Sequence, residues 1–391
     1  MNLFKITVLL SLLVISGCHS QQKNETRLLE SEQQLHVLRS LSVKEKKNPR
    51  SMDKNGEIVW ARQPYDWTEG FWPGTCWMLY EKTGDEQWKE AASTIQELYV
   101  HHKDLTNDHD LGFIFNNSFG KAFRITGDER YKKVLLDAAD ALITRFNPNV
   151  GCIQSWDVSD NWQSKRGWKF PVIIDNLMNL ELLFEASEIT GDPKYSDVAI
   201  AHANTTMAKH FRKDGSSYHV VDYDPGTGAV NSRITAQGYA DESAWARGQA
   251  WGLYGYTMCY RYTKDRKYLE MAEKISGFIL SHPNYPEDGV PFWDFNAPDI
   301  PDALRDASAG GIMASAWIEL DGYSDRGYLD RARTILETLS SEKFRGTSKK
   351  DYFLLKHSVG SIPHGNEIDV PLNYADYYYL EALLRITKKA L

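Results

Sequence analysis

A degenerate tripeptide recurs along the chain as Thr83-Gly84-Asp85, Thr126-Gly127-Asp128 and Thr190-Gly191-Asp192, with weaker copies at Thr263-Lys264-Asp265 and Ser324-Asp325. An aromatic follows each Asp three residues on: Trp88, Tyr131, Tyr195, Tyr268 and Tyr328. The physical content of the motif is a tight turn between two helices. Glycine takes the left-handed conformation that ends one helix, and the aspartate accepts hydrogen bonds from the free N–H groups that start the next. The repeating unit is therefore helix, turn, helix.

The segments before the turns (72–82, 111–125, 173–189, 244–262 and 310–323) are rich in Gly, Ala and aromatics, whereas those after them are amphipathic and charged, as in EQWKEAASTIQELYVHHKD. The first set is expected inside and the second outside. An apolar segment, 374–388, closes the chain and an amphipathic one, 27–41, opens it, giving six inner and six outer helices. That count predicts an all-α (α/α)6 barrel. An open α-solenoid is the competing architecture, but solenoid repeats keep a near-constant period and these do not.

Long connections precede the inner helices at 147–171, 213–241, 283–306 and 344–371, and long loops usually carry function. With all the turns at one end, the starts of the inner helices and the long loops share the other end, the mouth. Counting back about 16 residues from each turn, roughly 24 Å at helical rise, reaches Trp67, Asp110, Asp175, Arg247 and Ser308. Asp175 stands in FPVIIDNLMNL, where apolar neighbours desolvate it and raise its pKa, the condition a general acid needs. The plainer role for either aspartate is a helix N-cap; for Arg247 it is an ion pair with Asp241 or Glu242, against a bidentate grip on a substrate carboxylate. Trp251, one turn beyond Arg247, faces a choice between core packing and stacking on a sugar. His219 falls in an extended, hairpin-like stretch.

The N-terminus, MNLFKITVLLSLLVISGCHS, has one Lys, an apolar run too short to span a bilayer, and small residues before a cysteine. Residues 1–17 are expected to be a lipoprotein signal peptide, with Cys18 the lipidated first mature residue, 18–27 a flexible tether and 28–391 the catalytic domain. Cys76, Cys152 and Cys259 then remain, an odd number in apolar segments, so core thiols are expected and not disulfides. A net charge of −8 without a segregated basic patch argues against nucleic acid or an anionic membrane surface, leaving the lipid as the only membrane contact. The twelve Trp and twenty-one Tyr suit sugar recognition, although packing uses them too. HExxH, CxxC pairs, phosphate loops and GxSxG elbows are missing, and Asp222-Tyr223-Asp224-Pro225-Gly226 reads as a turn and not a calcium loop, so no metal or cofactor is expected.

Five stretches, WTEGFWPGTCWMLYEKTGD, HDLGF, FPVIIDNLMNLELLFEASEITGD, RITAQGYADESAWARGQAWGLYG and GNEIDVPLNYADYYYLEAL, make the chain resemble family 88 of the glycoside hydrolases, the unsaturated glucuronyl hydrolases. The resemblance covers nearly the whole mature chain and implies an (α/α)6 barrel. It implies that the 4,5-unsaturated uronic acid left by a polysaccharide lyase is removed by hydration of its double bond. Asp175 is then the acid/base residue and Asp110 the second carboxylate, which holds substrate hydroxyls and helps stabilise the developing cation. His219, Gln237, Arg247 and Trp251 match substrate-contacting positions, and Trp67 or Trp72 supplies the opposing aromatic wall. The loop 356–366 (KHSVGSIPHGN) falls where family members contact the second sugar and any sulfate on it. It departs from a serine-to-lysine sulfate reader, leaving Lys356, Ser358 and Ser361 as candidates. The implied substrates are glycosaminoglycan disaccharides. A pectin-directed unsaturated rhamnogalacturonyl hydrolase and a non-catalytic glycan-binding surface lipoprotein are the alternatives. The expected setting is the cell envelope, periplasmic or at the outer-membrane surface, as a monomer or weak oligomer.

Overall fold

The computed structural model describes the backbone of residues 3–348 and 350–389, and side chains from residue 21 onward. Thirteen α-helices are present among the described residues: α1 (Leu3–Glu45), α2 (Phe71–Thr83), α3 (Glu86–Gln96), α4 (Lys121–Thr126), α5 (Glu129–Ile143), α6 (Trp162–Lys165), α7 (Leu180–Thr190), α8 (Pro193–Lys209), α9 (Ala246–Thr263), α10 (Arg266–Ser281), α11 (Ala307–Leu320), α12 (Tyr328–Leu339) and α13 (Asn373–Lys389). A π-helical stretch, Gly112–Gly120, leads into α4, and a 3-10 turn, Ile174–Asn179, leads into α7. The inner ring runs α2, π-helix with α4, 3-10 turn with α7, α9, α11 and α13. Each packs on the next, and α13 returns to pack on α2. That last contact separates a closed barrel from an open solenoid.

The first four turns work as their sequence dictates. Gly84, Gly127 and Gly191 sit at φ 72°, 69° and 73°. Nothing lies within 4 Å of where a Cβ would stand at any of them, so backbone conformation and not crowding selects glycine. Asp85, Asp128, Asp192 and Asp265 accept from the N–H two residues on. The threonine also has a role: its hydroxyl donates to the carbonyl four residues back, as Thr83 does to Leu79 at 2.8 Å, and accepts the aspartate N–H. The fifth turn differs from expectation. Asp321, at the end of α11, and not Asp325, accepts the Leu329 N–H at 3.0 Å, because Gly327 at φ 72° swings the chain into α12.

Residues 21–27, expected as a tether, continue α1. Asn24 is buried, Lys23 pairs with Glu337 of α12 at 3.0 Å and Glu25 pairs with Lys82 of α2 at 2.8 Å. Straight-chain polar residues are good helix formers, and charged partners on neighbouring helices supply what an apolar stripe otherwise would. Cys18 lies outside the described side chains. No described helix is long and apolar enough to cross a membrane. Cys76, Cys152 and Cys259 are buried and free.

The long connections carry small antiparallel sheets. These are β1 (Pro49–Met52) with β2 (Ile58–Trp60), β3 (Phe146–Asn147) with β4 (Cys152–Ile153), β5 (Pro171–Ile173) with β6 (Val220–Tyr223) and β7 (Val230–Ile234), and β8 (Ser358–Ser361) with β9 (Asn366–Val370). Inside the ring, Trp67, Phe71, Phe113, Trp251, Tyr374, Tyr377 and Tyr378 contact one another with ring centroids 5.0–6.0 Å apart. This aromatic layer crosses the lumen, and such pairs contribute about 0.5–1.5 kcal/mol each beyond their buried area.

Candidate active site

Two carboxyls meet above that layer. Asp110 stands just before the π-helix and Asp175 in the 3-10 turn. What brings these elements together is Gly112, where a Cβ would fall 2.4 Å from the Cα of Asn179. Asn179 then bonds both ways: its Oδ1 accepts the Phe113 N–H at 2.9 Å and its Nδ2 donates to Asp110 Oδ1 at 3.4 Å. Irregular helix at both positions is common where function demands a special backbone path.

Asp175 is pushed up to about 7, chiefly by burial, with the Arg247 charge and the Trp251 indole N–H pulling the other way. Asp110 is held well above the carboxylate range by burial and by the charges of Asp108 and then Asp175. That mutual repulsion places the two in one electrostatic environment. Both stay reachable, with 12% and 13% of the side-chain surface of Asp175 and Asp110 exposed. Asp175 Oδ2 is buried without a hydrogen-bond partner among the described residues, so the carboxyl is desolvated and unsatisfied on that side.

His219 fixes this geometry. Its Nδ1 accepts the backbone N–H groups of Ala236 and Gln237, each at 3.1 Å, so the ring proton belongs on Nε2, 3.6 Å from Asp175 Oδ2. Burial keeps the imidazole pKa well below its ordinary range, so the ring is neutral. Trp251 is fully buried, packed on Phe113 and Tyr378; its indole N–H favours the Asp175 carboxylate but makes no hydrogen bond among the described residues, and no ring face is left for a sugar to stack on.

A cavity of about 460 Å³ opens at the mouth, and Trp67, Gln237, Arg247 and Ser361 line it together with Arg50, Arg62, Trp162, His364 and Tyr374; Asp110 and Asp175 are not in its lining, and Arg247, whose charge acts on Asp175, is the link between them. Of the two candidate tryptophans Trp67 faces it. Trp72 is turned into the core, where its indole N–H donates to Ser42 Oγ of α1 at 3.2 Å. Arg247 spends its donors on the protein: Nη1 on Asp306 and the Val359 carbonyl, Nη2 on Gln237 Oε1 at 3.0 Å and the Gly360 carbonyl at 2.5 Å. Its pairing partner is therefore Asp306, not Asp241 or Glu242, and Ser308 in turn holds Asp306 Oδ1 at 2.6 Å. Ser361 Oγ contacts His364 Nδ1 at 2.7 Å, Ser358 is wholly buried, and Lys356 reaches away to the Glu342 carbonyl.

Sequence reasoning passed over Asp108, which accepts the Asp110 N–H at 2.8 Å, and Trp162 and Arg62 in the cavity wall. The run Asp108-His109-Asp110 was the available signal. Among the described residues these three offer ligand-type atoms within 4.8 Å of one another, with His109 kept neutral by a pKa near 3 that burial imposes.

A barrel of six helical hairpins whose mouth holds a pair of desolvated carboxyls beside an aromatic-walled cavity defines a glycosidase of the six-hairpin class. Residues 42–262 match Glycosyl Hydrolase Family 88. An unsaturated glucuronyl hydrolase of Formosa agariphila is 48% identical over 340 residues, 86% of this chain and 84% of its own. The crystal structure of an unsaturated glucuronyl hydrolase specific for heparin superposes with a TM-score of 0.87 at 45% identity, covering 93% of this chain and 97% of that one. A mutant of Streptococcus agalactiae unsaturated glucuronyl hydrolase complexed with dGlcA-GalNAc6S gives 0.75 at 30% identity, covering 96% and 92%. The chain belongs to Glycosyl Hydrolase Family 88.

Proposed function

We propose that this glycosidase removes the terminal 4,5-unsaturated uronate from lyase-generated glycosaminoglycan disaccharides by hydrating the C4=C5 bond. Asp175 gives its proton to C4, and positive charge develops at C5 and the ring oxygen. Water adds at C5 and returns a proton to Asp175. The hemiketal so formed opens and releases the second sugar. Asp110 holds substrate hydroxyls and stabilises the cation. The observation that carries this reading is an aspartic acid with pKa about 7 whose Oδ2 has no protein partner, facing a neutral imidazole N–H.

The test is loss of the double bond's ultraviolet absorbance on unsaturated disaccharides from heparin, chondroitin, hyaluronan and pectin. Turnover of the glycosaminoglycan products is expected; turnover of the pectin product alone would move the substrate to rhamnogalacturonan, and turnover of none would remove the reading. The cavity residues nearest the β8–β9 hairpin, Ser361 and His364, are the ones proposed to meet the second sugar.

The envelope setting belongs to the same proposal: residues 1–17 direct export, Cys18 carries lipid, and the enzyme works at the membrane surface as a monomer or weak oligomer. Cys18→Ala expressed in a bacterial host is expected to leave the membrane fraction; retention there would refute the anchor.

A further inference from the structure

Below the aromatic layer, at the end of the barrel where the Thr-Gly-Asp turns lie, the lumen opens again into a cavity of about 290 Å³. Phe113 and Tyr378 form its ceiling, and the last turns of the inner helices form its wall. Its acceptors are all engaged. Glu185 pairs with Arg124, Glu181 with Arg261 at 2.5 Å and Glu81 with Lys388 at 2.9 Å. Glu381 accepts from Ser315 at 2.6 Å and Tyr254 at 3.1 Å, with Arg385 at 3.5 Å.

Its donors are not all engaged. The Lys121 ammonium has no acceptor within hydrogen-bond reach among the described residues; it stands 5.4 Å from the Tyr377 ring, in the fields of Glu381, Arg124, Glu181 and Arg385. Asn117 uses its Oδ1 on the Tyr377 hydroxyl at 3.1 Å, which leaves its amide N–H groups for another acceptor. The Tyr378 hydroxyl also has no partner among the described residues. A half-buried cation and two neutral donors, in a wall whose carboxylates already have partners, define a site by what it lacks.

We propose that this second chamber binds a small oxyanion, a carboxylate or a phosphate, through Lys121, Asn117 and Tyr378. Burial has already pushed the Lys121 ammonium down to about 8, and an anion beside it restores the charged form. Binding near pH 8 therefore takes up protons.

The experiment is calorimetric titration of the full-length Asp175→Asn protein, whose disabled mouth leaves substrate turnover out of the reading, with sodium acetate, glucuronate and phosphate in turn. Saturable binding of at least one of the three is expected, with a heat that varies with the ionisation enthalpy of the buffer near pH 8. Acetate and glucuronate without phosphate assign the site to carboxylates, and the converse to phosphate. Lys121→Met in the same background weakens binding by about tenfold or more, since a charge-assisted hydrogen bond is lost. Tyr378→Phe, which removes a hydroxyl and no volume, weakens it several-fold and stands in should the lysine variant not fold. Failure of all three anions to bind, or binding that survives both substitutions, overturns the proposal. Because this background does not turn substrate over and the variants that read the site lie in the far chamber, that failure says nothing about glucuronyl hydrolysis.

Discussion

Buried carboxyls along one lumen meet different ends: Asp110 and Asp175 at the mouth, and Glu185 at the far end, are raised by burial, whereas Glu381 beside Glu185 is lowered. At the mouth, Asp110 and Asp175 are desolvated without a cation in direct contact, and both stand above the carboxylate range. At the far end, Glu381 is just as deep, yet Arg385, Lys121, Ser315 and Tyr254 hold it below that range. The difference shows that depth alone does not make an acid. Asp376 makes the same point: burial pushes it to about 7, but both oxygens accept backbone N–H groups, from Leu354 at 2.7 Å and Leu355 at 2.9 Å. Asp175 combines a raised pKa with an unpartnered oxygen, and that pairing marks chemistry.

The strongest way to break this comparison is to neutralise the mouth. Asp175→Asn is expected to lose activity by on the order of a thousandfold or more while its circular dichroism spectrum stays wild-type, since general acid catalysis and the site's electrostatics go together. Wild-type rates from that variant would remove its assigned role. Asp110→Asn, losing a charge-stabilising contact in a dry site, is expected to cost about a hundredfold in kcat/KM.

The next effect is on pH. An acid of pKa about 7 carries its proton below that value, so activity falls about tenfold per pH unit above it. Trp251→Phe removes an N–H that favours the carboxylate, raises the Asp175 pKa and moves this alkaline limb to higher pH; a limb that moved down would contradict the assignment.

Stability separates the two ends further. The Asp175 pKa is raised on folding, so the folded state is favoured while this group is protonated and loses that advantage as pH climbs through about 7. Asp175→Asn is therefore expected to raise Tm at pH 8, less so at pH 5, and to converge on wild type only below about pH 4. Glu381 is lowered, so its contribution is present above the ordinary glutamate range and lost as pH falls below it. Glu381→Gln is expected to lower Tm at neutral pH and converge on wild type in acid. The smallest effect is at a turn: Lys264 holds φ 54° where its counterparts are glycine, and Lys264→Gly is expected to stabilise by about 0.5–1 kcal/mol in urea titration.

The repeat made the ring and its rim legible, because a turn signal and a helical rise are local quantities. Counting back from the turns put Trp67, Asp110, Asp175, Arg247 and Ser308 at one end, and there they lie. Roles were harder to read than places. That His219 is a neutral donor depends on peptide N–H groups at 236 and 237 folding onto its Nδ1, a tertiary contact with no trace in the local sequence. Arg247 looked free for a substrate because its acceptors, the Val359 and Gly360 carbonyls, are more than a hundred residues away. The far chamber was missed although it left a mark: Glu81, Arg124 and Arg261 each stand two residues before the threonine of a turn, charges on otherwise apolar helices.

Arg247 grips the β8–β9 hairpin by its main chain. Any residue can follow or precede those carbonyls without loosening the hold, so the hairpin's side chains are free to diverge while its position over the mouth does not. Descendants of such a chain can change which neighbouring sugar they accept by point substitution, leaving the hydrating machinery beneath untouched.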